Sequence, residues 1–223
     1  MADTLLVVDG IETCSGLSQV LFGLSLSIHA GEMVALMGRN GMGKTTTIRS
    51  IMGMTPARAG TIRFAGEEVR GLPSYRIAKL GIGLVPEGRQ IFPNLTVYEN
   101  LVAASGNRAG NADPWTIEKI HALFPRLAER SSNMGVTLSG GEQQMLAIGR
   151  ALMTNPKLLI LDEATEGIQP SVIKEIGEVI RQLASRGDMA ILLVEQFYDF
   201  AAGLADHYLV MSRGAIVQHG KGS

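Results

Sequence analysis

A glycine-rich stretch limits what this chain can fold into more than any other feature of its sequence. It runs Gly38-Arg39-Asn40-Gly41-Met42-Gly43-Lys44-Thr45 and fits the phosphate-loop pattern G-x-x-x-x-G-K-[ST] without a mismatch. The apolar residues 33–37 before it are typical of a buried strand, and residues 46–52 after it fit a helix. Because strand, glycine loop and helix are the context that this motif requires, the sequence predicts a phosphate-binding loop here.

The residue types in this loop have specific uses in phosphate binding. Glycines without a Cβ atom let the backbone curl and direct its N–H groups at phosphate oxygens, and the helix N-terminus adds a partial positive charge. We expect Lys44 to reach the β- and γ-phosphates and the Thr45 hydroxyl to bind Mg²⁺. Nucleotide contacts are predicted for all residues of the loop and for Thr46. A glycine-rich turn without a ligand is the alternative, and the matched context disfavours it.

Composition excludes several classes of protein. The 223 residues suit a single domain, and a net charge of −1 without a basic stripe argues against nucleic-acid binding. The chain is 46% hydrophobic and 18% charged, so we expect partners to cover part of its surface. The single cysteine, Cys14, suits a reducing cytoplasm. The apolar run 189–194 is too short to span a bilayer, so any membrane association is expected to go through another protein.

The order of predicted elements indicates an α/β fold. Continuous apolar strands alternate with amphipathic helices, a pattern typical of a parallel sheet covered on both faces. Short strands are predicted at 4–8 and 82–85. Between Pro86 and Pro156 the strand signals stop and three helices are predicted: 96–104 with a capping box of Thr96 and Glu99, 113–124 capped by Asp113, and 139–153. We interpret residues 1–86 with 156–223 as a nucleotide-binding α/β core, and residues 87–155 as a helical insert within a single domain.

A pair of acidic residues follows the apolar strand at 158–161. Asp162 at the end of such a strand is placed to hold Mg²⁺, and Glu163 to orient or deprotonate an attacking water. Two acids that cap the next helix would be the simpler explanation. The phosphate loop upstream favours the catalytic one.

A third stretch, Leu138-Ser139-Gly140-Gly141-Glu142-Gln143-Gln144, places a serine cap and two glycines at a helix start. Alone it would be an ordinary capped helix. With the phosphate loop before it and Asp162-Glu163 after it, the chain resembles the ATP-binding cassette (ABC) ATPases over essentially its whole length.

The resemblance implies a P-loop NTPase (RecA-like) core with an antiparallel β subdomain and an inserted α-helical signature subdomain, residues 1–223 forming one ABC ATPase domain. It implies ATP and Mg²⁺ as cofactors, with Glu87 near the metal. It also implies a head-to-tail dimer in which Ser139, Gly140, Gly141 and Glu142 of one subunit contact ATP held by the phosphate loop of the other. The partners implied are a second ATPase subunit, two transmembrane permease subunits and, indirectly, a solute-binding protein. The location implied is the cytoplasmic face of the inner or plasma membrane.

Within that family, residues 85–89 and 193–196 look like the branched-chain amino acid importer group. Residues 165–170 and 187–192 look closer to the second ATPase subunit of the urea importers. The preferred hypothesis is therefore an ATPase that drives uptake of urea or a related small amide or amino acid. A branched-chain amino acid importer, or a degenerate cassette that binds ATP and regulates, remains the alternative. A third possibility is a cassette ATPase of translation or DNA repair, although this chain has neither a second cassette nor a coiled-coil insert.

Four positions depart from the usual cassette pattern. Ser15 stands where a tyrosine usually stacks on adenine, and Glu87 where glutamine is usual, although the importer group shares the acid. Ala164 replaces a proline after the catalytic-position glutamate. Gln196 replaces a histidine that contacts the γ-phosphate, and it cannot carry that positive charge. We therefore predict two unequal ATP sites shared with a non-identical ATPase partner. The four histidines show no metal-ligand spacing and are assigned no site.

Overall fold

A computed structural model describes residues 3–108 and 110–222 of the chain. The strands in the described chain are β1 Thr4–Ser15, β2 Ser18–His29, β3 Met33–Met37, β4 Ala59–Phe64, β5 Glu67–Glu68, β6 Ile82–Val85, β7 Leu158–Asp162, β8 Ala190–Glu195, β9 His207–Ser212 and β10 Ala215–Lys221. The α-helices are α1 Lys44–Ile51, α2 Ser74–Lys79, α3 Val97–Ala104, α4 Ile117–Leu123, α5 Pro125–Glu129, α6 Gly140–Leu152, α7 Pro170–Ser185 and α8 Tyr198–Ala202.

The central sheet has six strands in the order β10-β9-β3-β8-β7-β6. Strands β6 to β9 and β3 run parallel, and β10 is antiparallel to β9 at one edge. Successive residues of β3 enter opposite cores: Met33 and Ala35 pack with the helical region, while Val34 and Leu36 pack with α1 and the second sheet. Burial on both faces explains why these strands are continuous apolar runs, and the predicted parallel sheet is confirmed apart from the β10 edge.

The second sheet is antiparallel, with the strand order β2-β1-β4-β5. Strand β1 is much longer than the predicted 4–8, because it continues through Asp9-Gly10 with a shift of register between Val8 and Ile11. Asp9-Gly10 interrupts the alternation of apolar residues, so the sequence pattern predicts an end to the strand there. In the structure a bulge accommodates the two residues and the strand continues.

The stretch between β6 and β7 is helical, as predicted. Thr96 caps α3 through its side chain, and Glu99 reaches back to the backbone N–H of Thr96, so the predicted capping box is confirmed. The prediction that Asp113 caps the next helix is wrong. Helix α4 begins at Ile117 behind Thr116, whose side chain accepts a hydrogen bond from the N–H of Lys119. Asp113 instead forms an ion pair with Lys119.

In the described residues, no helix combines the length and the apolar character that a membrane crossing requires.

Candidate active site

The phosphate loop joins β3 to α1 at the carboxyl edge of the central sheet. Its glycines are needed for two different reasons. Gly41 and Gly43 have φ angles of 80° and 108°, in the left-handed region that favours glycine. A Cβ at Gly38 would lie 2.7 Å from the carbonyl oxygen of Met211 in β9, so that position is closed to any side chain. The loop is therefore shaped by its backbone and by contact with β9.

Lys44 is almost fully buried at the first turn of α1. Its Nζ donates to the carbonyl oxygens of Gly38 and Arg39 at 2.8 and 3.2 Å. It also lies 3.2 Å from Oε1 of Glu163, whose side chain is buried too. The predicted phosphate-binding lysine and the predicted catalytic carboxylate, 119 positions apart in the sequence, thus form a direct ion pair.

Glu163 follows β7 with a φ of 49°, an unusual backbone conformation for a residue other than glycine. Its N–H donates to the carbonyl oxygen of Val194 in the neighbouring strand β8 at 2.9 Å. This bond turns the chain sharply at the sheet edge and directs the carboxylate toward the phosphate loop. Strained backbone held by its surroundings is characteristic of functional sites.

Asp162 meets the requirements of a magnesium ligand. Its side chain is buried, and its Oδ1 has no hydrogen-bond partner among the described residues. Burial, followed by the nearby charges of Glu163 and Glu87, raises the pKa of Asp162 to about 7. Asp162, Thr45 and Glu87 line one cavity, so the predicted metal residues are brought together. An orphaned carboxylate oxygen beside a hydroxyl and further carboxylates matches the hard oxygen donors that Mg²⁺ prefers.

An adjoining cavity of about 450 Å³ opens over the phosphate loop. Its lining contains seven of the fourteen predicted nucleotide-binding residues together with three acids: Ser15, Val20, Asn40, Gly41, Gly43, Lys44, Thr45, Thr46, Glu87, Glu163 and Glu166. Ser15 therefore lines the cavity over the phosphate loop, and its predicted place beside the adenine stays a prediction. Arg39 is exposed, and Met42 uses its sulfur and carbonyl oxygen to accept from Arg213 and Gly214 at the β9–β10 turn.

Glu166 was not singled out from the sequence. Its carboxylate lies with those of Glu87 and Glu163 in a group whose ligand atoms are all within 4.8 Å of one another. No motif marks Glu166, because its place in the cavity depends on the turn after Glu163.

The serine–glycine segment, residues 139–141, opens α6 and is absent from the lining of the phosphate-loop cavity. Ser139 accepts from the N–H of Glu142, and the Glu142 carboxylate accepts from the N–H of Ser139 at 2.8 Å. The side chain of Glu142 is thus engaged in a capping box. The predicted contacts of Ser139, Gly140, Gly141 and Glu142 with a partner's nucleotide stay predictions.

Glu195 is a buried acid beside the site that sequence reasoning did not single out. Glu195 is 1% exposed, and its Oε1 accepts from the N–H of Thr165 at 3.1 Å and lies 3.0 Å from the Thr165 hydroxyl. Burial raises the pKa of the Glu195 carboxyl to about 7. Glu195 connects β8 to the loop after Glu163, and it directly precedes Gln196, which is half-buried beyond the strand. The sequence signal that could have identified Glu195 is its position as an acid at the end of the apolar strand β8.

Comparison with known proteins decides the family. The family model described as ABC transporter matches residues 21–166. The chain belongs to the ABC transporter family. It is an ATP-hydrolysing subunit of a transporter, the kind of ABC ATPase that dimerises and associates with permeases.

The individual relatives agree with this assignment. The chain is 45% identical over 221 residues to the high-affinity branched-chain amino acid transport ATP-binding protein BraG of Pseudomonas aeruginosa, covering 98% of this chain and 94% of that protein. A crystal structure of a nucleotide-free ATP-binding cassette from an ABC transporter matches with a TM-score of 0.85 at 28% identity, covering 99% of this ABC ATPase and 92% of the other. The ADP conformation of another ATP-binding cassette matches with a TM-score of 0.81 at 27% identity, covering 98% and 91%. The predicted P-loop NTPase fold with its antiparallel β subdomain is confirmed.

Proposed function

We propose that this ABC ATPase powers an importer of branched-chain amino acids or of closely related small amino acids. The observation that carries the solute class is the 45% identity to BraG over 98% of the chain. The urea importer preferred from residues 165–170 and 187–192 has no comparable support among the relatives. We therefore favour what was the alternative hypothesis over the main one.

ATP is proposed to bind over the phosphate loop, with Lys44 on its β- and γ-phosphates. The nearest acid to Lys44, Glu163 at 3.2 Å, would give up its ion pair when the phosphates arrive. A carboxylate released in this way is free to orient or deprotonate the attacking water. We propose that Thr45, Asp162 and Glu87 hold Mg²⁺, which would neutralise charge on the phosphates.

The ABC ATPase is proposed to work at the cytoplasmic face of the membrane, in a head-to-tail dimer on two permease subunits that receive solute from a binding protein. We also propose that the chain forms one domain. Residues 1–86 and 156–223 would form its nucleotide-binding core, and residues 87–155 its helical subdomain. Each ATP would be enclosed by the phosphate loop of one subunit and the serine–glycine segment of the other.

Co-purification and solute-stimulated turnover test this function together. The tagged ABC ATPase, expressed in its native host, is expected to bring down multi-span membrane proteins. In vesicles with the binding protein, leucine, isoleucine or valine should stimulate ATP hydrolysis and be taken up, and urea serves as the competing solute. Stimulation by urea alone would restore the urea hypothesis, and co-purification without any membrane protein would contradict both.

We further propose that the ATPase partner is a different chain, so that the two ATP sites are unequal. The site on this chain has Glu163 but carries Gln196 in place of the histidine, whereas the opposite site borrows the intact serine–glycine segment from here. Inactivating the equivalent glutamate of each chain separately should give unequal losses of transport. Equal losses, or full transport by a complex of this chain alone, would contradict the unequal-site arrangement.

A further inference from the structure

The chain leaves β6 through a turn with an unusual backbone. Gly88, Arg89 and Gln90 have φ angles of 75°, 66° and 48°, so three successive residues lie in the left-handed region. For residues with a side chain this conformation is unfavourable, because the Cβ atom crowds the following carbonyl oxygen. The turn is held from α6, where Arg150 donates from Nη1 to the carbonyl oxygen of Gln90 at 2.7 Å.

This backbone directs the guanidinium of Arg89 between two segments of the candidate site. Its Nη1 donates to Oε1 of Gln143 on α6, and its Nη2 to the carbonyl oxygen of Gly167 in the loop after Glu163, both at 3.4 Å. It also packs on Gly140, where a Cβ atom would lie 3.1 Å from both Nη atoms. The half-buried guanidinium therefore contacts the start of α6 and the loop after Glu163 at once.

We propose that Arg89 is a positioning residue that couples the two ATP sites of the dimer. The inference rests on the proposed head-to-tail arrangement, in which Glu163 serves ATP on its own chain and residues 139–141 serve ATP on the partner. Arg89 bonds to both segments of one chain. A shift of one segment when its ATP binds or is hydrolysed would therefore move the segment that serves the other ATP.

The chemistry of arginine suits this task. Its planar guanidinium has five fixed N–H donors, so it can bond to two segments in different directions, whereas a lysine ammonium is a compact point charge. A Cβ atom at position 140 would lie 3.1 Å from both Nη atoms, so a side chain there would shift the guanidinium by a few tenths of an ångström. Since Arg89 does not line the phosphate-loop cavity, the coupling is separate from nucleotide binding by the isolated subunit.

Steady-state kinetics of the assembled transporter test the coupling. Arg89→Ala is expected to lower kcat about tenfold, within the usual range of coupling between sites, and to reduce the Hill coefficient for ATP. ATP affinity of the isolated subunit should stay unchanged. Arg89→Lys should recover only part of kcat, because one ammonium cannot bond to both segments.

Arg70→Ala is the matched control, because the exposed Arg70 also donates to a backbone carbonyl, that of Arg58, at 3.4 Å. It should keep both kcat and the Hill coefficient. Unchanged kcat and cooperativity in Arg89→Ala, or full recovery in Arg89→Lys, would overturn the proposal.

Hydrogen exchange of the isolated subunit provides a test that needs no transporter. In Arg89→Ala the amides of residues 139–143 and 165–169 should both exchange faster than in the wild type, while those of the central sheet do not change. Unchanged exchange at both segments would also overturn the proposal. If the wild-type complex showed no solute-stimulated hydrolysis, the proposed function would fail, and the exchange result would still decide whether Arg89 holds the two segments.

Discussion

Lys44 Nζ lies 3.2 Å from Glu163 Oε1, and both side chains are buried. The lysine that we propose to bind phosphate is thus paired with the carboxylate that we propose to act on water. The ion pair keeps the buried ammonium from being an unpaired charge before ATP arrives, which would be costly. In the proposed function, ATP would replace one anionic partner of Lys44 with another and make Glu163 available.

Glu163→Gln should therefore separate binding from chemistry. We expect its ATP affinity to match or exceed that of the wild type, because the amide no longer competes for Lys44, and its turnover to fall at least about 100-fold. Lys44→Ala should lose ATP binding. Titration with labelled ATP and a phosphate-release assay measure the two effects.

Glu166→Gln is the control for affinity, since it removes a charge from the same cavity without releasing Lys44. A Glu163→Gln variant that hydrolysed ATP at the wild-type rate would show that Glu163 is not the catalytic acid.

Ser15→Tyr should tighten ATP binding. Ser15 lines the cavity without offering a ring, and base–aromatic stacking contributes about 1–3 kcal/mol. We expect an affinity gain of about tenfold for each 1.4 kcal/mol recovered. Ser18→Tyr, at the facing position of the same hairpin, is the control. Equal affinity of Ser15→Tyr and wild type would mean that another residue already covers the base.

Ser139→Ala should differ from Thr96→Ala in activity but not in stability. Both residues cap a helix through a capping box, so each substitution should cost about 1 kcal/mol of unfolding free energy. Only Ser139→Ala is expected to impair ATP hydrolysis by the assembled transporter as well. Denaturant unfolding and ATPase assays distinguish the two losses. Equal activity of the two variants would show that Ser139 acts only as a helix cap.

Glu195→Gln should gain stability relative to the wild type as the pH rises. The folded-state pKa of Glu195, about 7, lies above its ordinary value of 4.5, so the folded protein binds the proton more tightly than the unfolded chain. Stability that this group provides is therefore present at low pH and is lost as the pH rises through about 7. The glutamine has no proton to lose and keeps an acceptor for Thr165.

The measurement is Tm against pH from 5 to 8.5, with Glu178→Gln on the exposed face of α7 as the control. A Tm difference between Glu195→Gln and wild type that stays constant over this range would contradict the prediction.

Local patterns in the sequence were sufficient for most of the architecture. The strands Met33–Met37 and Ile82–Val85 lie where their apolar runs predicted, since strands buried on both faces need no polar positions. The capping box at Thr96 and the phosphate loop were equally visible, because each depends on residues close together in the chain. Strand β1 was underestimated because a bulge continues it past Val8, and α4 was misplaced because Thr116, not Asp113, caps it.

The sequence by itself therefore determined the phosphate loop, the parallel core and the family. Tertiary structure alone decided which groups meet: Lys44 with Glu163, Thr165 with Glu195, and Arg89 with the carbonyl oxygen of Gly167. It also brought His207 to within 2.9 Å of the Glu32 carboxylate, 175 positions away, although no spacing connects them. Periodicity and motifs report the neighbourhood of a residue along the chain, whereas these contacts depend on how strands are ordered in the sheet and how their connecting loops turn.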